Sequence, residues 1–228
     1  MSKPRIIISG IGNHGDNILS RLSDQGLLNA EFLSYSELIQ DNLQNIYLLF
    51  IIYNPKDSSM KEVNEIIGLH TNQMIIELII DDRIERKNPH YVINNFSIDA
   101  AAKEISTLIK AFNDLGRFPS QASIDMADII DSLKNVGRLQ MKEFTIKTND
   151  EHNFLGQLSL FLSTAKNIKT VWFQFYFQKE DDLLYTVLEN LFDAVSSNLS
   201  SETKVLWNVN YVDKNLNNER DRCILLFC

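Results

Sequence analysis

The sequence predicts an α/β protein: a doubly wound N-terminal domain, a long connecting helix, and a C-terminal α+β domain of one sheet backed by two helices. Three observations carry this. Strand-sized apolar runs alternate with helical segments through the first half of the chain, as in a parallel sheet with crossover helices. Ile98, Ala101, Ile105, Leu108, Phe112 and Leu115 then recur at spacings of three and four, the signature of one long amphipathic helix. The remainder follows the order β-α-β-α-β-β.

In the first half, residues 5–9 form an apolar strand, followed by a glycine-rich turn and a helix to about residue 25. Residues 31–34 read as a short strand and 36–45 as a short helix. Residues 46–53 are apolar throughout, as expected for a central parallel strand covered on both faces. Asn54 and Pro55 then resemble a helix start, with Asn as N-cap and Pro at the first position, and that helix runs to about residue 69. Residues 73–80 and 90–93 are further strands.

The helix over 97–115 ends at Gly116, a natural C-cap. At ~1.5 Å per residue it is close to 30 Å long, enough to cross a domain. A helix over 126–139 follows a loop containing Pro119. Residues 143–148 alternate briefly, and 155–166 are helical. In 171–177, Val171, Phe173, Phe175 and Phe177 share one face of a strand. The opposite face carries Trp172, Gln174 and Tyr176, which suits either burial on both sides or a subunit contact. Residues 182–199 form an amphipathic helix. Residues 205–212 and 222–228 are expected to close the chain as a hairpin through a polar turn.

Composition narrows the function. The chain has 228 residues, with 30 acids against 22 Lys and Arg, a net charge of -8. Nucleic-acid binding, which needs clustered cations to neutralise phosphates, is not expected. No apolar run approaches the ~20 residues of a membrane helix, and the N-terminus lacks a signal-peptide core. The two cysteines, Cys223 and Cys228, fall on opposite faces of one strand and do not suit a disulfide with each other. Free thiols suggest a reducing, cytoplasmic location. No Cys/His cluster has metal-ligand spacing.

Gly10-Ile11-Gly12-Asn13-His14-Gly15 lies between a strand and a helix, where such a turn brings backbone N–H groups to an anion. A dinucleotide or a nucleoside triphosphate fits this position. So does no ligand at all, if the glycines serve close packing alone. A dinucleotide site also needs an acid ~20 residues on. Glu37 has about that spacing, although it falls inside the second helix.

Extended to Asp16 and Asn17, the same stretch resembles the first loop of the tubulin/FtsZ superfamily, Gly-x-Gly-Gly-x-Gly-x-Asn, with Asn13 in place of one glycine. Ser123-Ile124-Asp125-Met126-Ala127-Asp128 is similar to that family's Asn-x-Asp-x-x-Asp loop, with Ser for Asn. The long helix followed by a sheet backed by two helices has the family's order. The resemblance spans most of the chain. It divides the chain into a compressed Rossmann-like, nucleotide-binding-like domain (1–95), a central connecting helix (96–118) and a C-terminal α+β domain (119–228).

The resemblance implies a cytoskeletal protein that polymerises into filaments and is involved in cell division. It also implies GTP or GDP held at Gly10, Gly12, Asn13, Gly15 and Asn17, with Asp99 as the candidate near the base and Phe96 either stacked on the base or simply packed. Asp125 and Asp128 would act in trans on the nucleotide of a neighbouring subunit. As acids at a helix start they also suit the helix dipole without any catalytic role.

One departure weighs heavily. After residues 46–53 the family places Gly-Gly-Gly-Thr-Gly-Thr-Gly around the phosphates. Here the chain reads Asn54-Pro55-Lys56-Asp57-Ser58-Ser59-Met60. Pro55 has no N–H to donate, Asp57 repels a triphosphate, and β-carbons block close backbone approach. Lys56 and Ser58 remain as a poorer anion site. The expectation is therefore a pseudo-GTPase, with GTP hydrolysis weak or absent. It would act by self-assembly, or with true FtsZ subunits. FtsZ proteins carry a C-terminal peptide for membrane-tethering partners, and the sequence stops within its last strand, so no direct membrane binding is expected. Two alternatives stand beside this: an active, divergent GTPase with acids supplied in trans, and a small NAD-binding Rossmann-type protein using Glu37.

Overall fold

The computed structural model describes residues 5–26, 30–40, 46–57, 60–80, 86–94, 97–114, 126–134, 136–146, 151–165, 167–178, 183–212 and 221–228. The chain divides into two compact units: Met1–Asn113 with Met126–Leu139, and Asp114–Asp125 with Gln140–Cys228. The expected boundary between residues 118 and 119 and the Gly116 cap lie outside the described residues.

The first unit contains β1 (Arg5–Ile11), α1 (Gly12–Ser23), β2 (Ala30–Leu33), α2 (Tyr35–Gln40), β3 (Ile46–Tyr53), α3 (Met60–Leu69), β4 (Met74–Ile80), β5 (His90–Ile93), α4 (Ile98–Asp114, as far as Asn113) and α5 (Met126–Leu133). Its strands run parallel in the order β2-β1-β3-β4-β5. Arg138 and Leu139, which open β6 (Arg138–Thr145), pair with His90 and Tyr91 of β5. Apolar β3 is central, as its uninterrupted run requires. One face packs Ile7, Leu49, Ile51 and Ile75 against Leu38 of α2 and Val63 and Ile66 of α3. On the other face Phe50 meets Phe112 of α4, ring centroids 5.7 Å apart. Helices thus cover both faces.

The order of these strands reverses between β1 and β3. In doubly wound sheets the crevice beyond the strand ends at such a reversal is where ligands bind. Register places Gly10 beside Ile52 and Ile11 beside Tyr53. The glycine segment and the turn after β3 therefore leave the sheet side by side.

The second unit holds β6 from Gln140, α6 (Glu151–Thr164), β7 (Thr170–Gln178), α7 (Leu183–Asn198), β8 (Lys204–Val212) and β9 (Arg222–Phe227). Strand order is β6-β9-β7-β8. Phe173, Phe175 and Phe177 stack along β7, with centroids 6.1 and 5.7 Å apart. They form the core with Phe154, Leu158 and Leu162 of α6 and Leu191 of α7. The opposite face is buried too: Trp172, Gln174 and Tyr176 are covered, with Asn208 and Asn210 beside them. Burial on both sides therefore accounts for this strand. Tyr176 donates its hydroxyl to Asp114 Oδ2 at 2.9 Å, and the Arg222 guanidinium lies 4.7 Å from the Tyr176 ring centroid.

The structure corrects several elements. The expected closing hairpin does not form. β9 enters between β6 and β7, antiparallel to both, and β8 pairs in parallel with β7. An almost wholly buried strand such as Arg222–Phe227 gains more from two strand neighbours than from one. The helix expected over 126–139 ends at Leu133, because Gly137 interrupts it and Leu139 alternates into a strand core. The helix expected from Asn54 and Pro55 starts at Met60. Asn54 instead accepts the Lys56 N–H on its side chain at 2.9 Å, and the Asp57 N–H bonds back to the Asn54 carbonyl at 3.1 Å. Local capping of a turn competes with capping of a helix, and here the turn wins.

Candidate nucleotide-type site at the β1–α1 and β3 ends

No loop separates β1 from α1. Ile11 is the N-cap and contributes no side-chain acceptor. The glycines allow this abrupt change. Gly12 has φ +74°, in the left-handed region that glycine adopts without strain. A β-carbon on Gly10 would strike the Gly15 carbonyl, and one on Gly15 the Ile52 carbonyl. Gly10 and Gly15 are thus required by the packing of α1 on β1 and β3, whatever else binds there.

The N-terminus of α1 is closed from a distance. Asp57 Oδ2 accepts the backbone N–H of His14 at 2.9 Å and lies 2.5 Å from His14 Nδ1. A carboxylate of this chain therefore takes the place where a helix N-terminus would receive an external anion. Further acids crowd it. Desolvation, with Glu62 and Asp57 nearby, raises the Asp16 carboxyl above its ordinary range. Asn17 donates to Asn13 Oδ1 at 3.2 Å, so these two predicted contacts are bonded to each other. Lys56 is exposed in the Asn54 turn. Ser58, Asp125 and Phe96 lie outside the described residues. Asp128 is exposed on α5.

Beside α1 opens a polar cavity of about 450 Å³, lined by Asn17, Ser20, Arg21, Asp24, Ile98 and Asp99. Ser97 caps α4 by accepting the Ala100 N–H at 3.1 Å, which sets Asp99 in the first turn. Arg21 Nε lies 3.3 Å from Asp99 Oδ1 at this cavity. At the N-terminus of α1, Asp57, Asp16 and Glu62 form an acidic surround that does not suit a triphosphate.

Glu37 is engaged elsewhere. Ser34 donates its N–H and hydroxyl to Glu37 Oε2 at 2.8 and 2.7 Å, and the Glu37 N–H returns to Ser34 Oγ at 3.4 Å. This reciprocal capping box starts α2 and holds the Glu37 carboxyl below its ordinary range.

Sequence reasoning missed one buried cluster. Glu77, 1% exposed in the middle of β4, accepts from the Tyr53 hydroxyl at 2.6 Å, Arg86 Nε at 2.8 Å and Asn88 at 3.0 Å. A single acid within the run Met74–Ile80 was the available signal, because a buried carboxylate requires partners. The cluster anchors Tyr53, the residue before the Asn54 turn. Among the described residues no group of His, Cys, Asp and Glu is arranged to hold a metal, and no helix is long and apolar enough to cross a membrane.

The architecture defines a class: a doubly wound sheet, a long helix and a second α+β unit make up the FtsZ/tubulin-like fold. Solved structures agree over nearly the whole chain. FtsZ from M. jannaschii superposes with a TM-score of 0.67 at 14% identity, covering 99% of this chain and 88% of that one. TubZ of Bacillus thuringiensis serovar israelensis, in a GTPγS-form protofilament, matches at 0.68 and 8% identity, covering 99% and 86%. CetZ2 from Haloferax volcanii, in a GTPγS-bound protofilament, matches at 0.62 and 11% identity, covering 98% and 92%. No protein-family model matches the sequence, and no curated protein is similar to it. At these identities the likeness establishes the fold.

Proposed function

We propose that this protein is a filament-forming subunit of the FtsZ/tubulin type that assembles without efficient GTP hydrolysis, a pseudo-GTPase. One observation carries the reading. The turn after β3 delivers the Asp57 carboxylate to the N-terminus of α1. A γ-phosphate would have to displace a bonded carboxylate and settle among further acids, which disfavours it electrostatically. Self-assembly is supported by the fold, since the TubZ and CetZ2 neighbours are protofilaments. The subunit would act with itself or with a true FtsZ, in cell division, in the cytoplasm. The test is sedimentation and electron microscopy with and without GTP, alone and with FtsZ, alongside calorimetry with GTP and GDP. Polymers formed without nucleotide are expected. A protein that stays monomeric at high concentration and ignores FtsZ would overturn the reading.

The polar cavity supports a second reading, an active but divergent GTPase. Asn17, Arg21 and Asp99 would hold the base, Lys56 and Ser58 would serve the phosphates, and Asp125 and Asp128 would act in trans. Phosphate release from GTP that is lost in Asp125→Ala and Asp128→Ala would favour it; absent nucleotide binding would remove it.

A further inference from the structure

β8 ends the sheet of the second unit. It pairs with β7 on one side, and among the described residues no strand pairs with its other side. Natural edge strands are usually short, or blunted by charge or proline, because their free N–H and C=O groups template another strand. β8 has nine residues and no proline, and its one charge is Lys204 at the first position. Its exposed apolar residues stand near the two ends: Val205 is 39% exposed and Tyr211 40%. Both share a face with Trp207, against which Phe192 of α7 sits edge-on at 4.3 Å, itself 54% exposed. The chain carries a net charge of -8, which disfavours self-association in general, yet β8 contains no acid.

We propose that β8 is where a second copy of this chain docks, through antiparallel β8–β8 pairing about a twofold axis at Asn208. This axis pairs all nine residues. Lys204 then faces Val212, Val205 faces Tyr211, Leu206 faces Asn210, and Trp207 faces Val209. No like charges meet. The two exposed end residues cover one another as β-branched against aromatic pairs, a favoured cross-strand combination. Shifting the axis to Trp207 leaves Tyr211 and Val212 beyond the partner's strand. The contact uses the same patch on both chains, so it closes at two. It therefore differs from a head-to-tail filament contact and does not depend on the assembly proposed above.

The test uses full-length Val205→Cys and Tyr211→Cys in a Cys228→Ser background, oxidised separately and mixed, and resolved on non-reducing gels. The mixture is expected to give a cross-linked dimer. Either variant alone is expected to stay largely monomeric, because like positions would lie ~20 Å apart at ~3.3 Å per residue. In sedimentation, Val205→Glu should shift wild-type dimer to monomer. Val205→Lys combined with Tyr211→Glu should restore the dimer, since each Lys then faces a Glu. A monomeric wild type, or cross-linking as strong in one variant alone as in the mixture, would overturn the contact. Head-to-tail polymers lacking the mixed cross-link would overturn it too, while leaving filament assembly intact.

Discussion

Asp57 and His14 are 43 residues apart, and the Asp57 carboxylate accepts the His14 backbone N–H at 2.9 Å. This bond supplies the acceptor that Ile11 cannot, and it fills the anion position of α1 with part of the protein itself. Asp57→Ala is expected to lose ~1 kcal/mol of stability, the usual size of a lost helix cap. It should also raise the affinity for GDP or inorganic phosphate over wild type. Urea denaturation and calorimetry check the two effects. An unchanged stability together with unchanged anion affinity would show that the bond does neither.

Gly10 and Gly15 are packing residues. Alanine at either is expected to reduce the yield of folded protein whether or not nucleotide is present, because the added methyl meets backbone carbonyls that cannot retreat. Gly12→Ala should cost ~1–2 kcal/mol, the penalty of left-handed backbone for an L-residue. Circular dichroism and thermal melts with and without GTP measure this. Rescue of Gly10→Ala by GTP would contradict the packing role.

The Glu77 cluster stabilises the first unit. Glu77→Ala leaves the Arg86 guanidinium, only 15% exposed, without its carboxylate, and should cost ~3–5 kcal/mol. Tyr53→Phe removes one hydrogen bond to a charged group and should cost ~1.5–3 kcal/mol. Chemical denaturation would separate the two. Equal, small losses would mean that the cluster is well hydrated.

Asp16 predicts a pH dependence. Its carboxyl is raised in the folded state, so the fold binds its proton more tightly than the unfolded chain does. Its stability contribution is therefore greatest below the ordinary value of 3.8 and is lost as pH rises from there through the raised folded value. Asp16→Asn should melt at a higher temperature than wild type at neutral pH, and the difference should vanish below about pH 3.8. A difference that grows on acidification would reverse the assignment.

Much of the fold was legible because each unit announces its own period. The unbroken run Ile46–Tyr53 indicated a buried parallel strand, and the alternation of Phe173, Phe175 and Phe177 a strand with one core face. Misreadings arose where two local rules competed. Asn54 suited a helix cap but caps a turn, and Arg138 fell within the expected helix over 126–139 but begins a strand. Strand neighbours were not legible at all: β8 and β9 are consecutive in sequence, yet β9 lies between β6 and β7.

At the candidate site the sequence by itself determined the ingredients. It set glycines at the end of β1 and the start of α1, put none directly after β3, and put an acid at position 57, because residue types decide which backbone shapes and charges are available. Where that acid goes was decided only by the tertiary structure. The parallel pairing of β1 with β3 brings two distant turns to one end of the sheet, and only there does Asp57 meet the free N–H of His14. Gly10 and Gly15 likewise look like ligand glycines in the sequence. The close approach of α1 to β1 and β3 makes them packing residues, since that spacing depends on strands far apart in the chain.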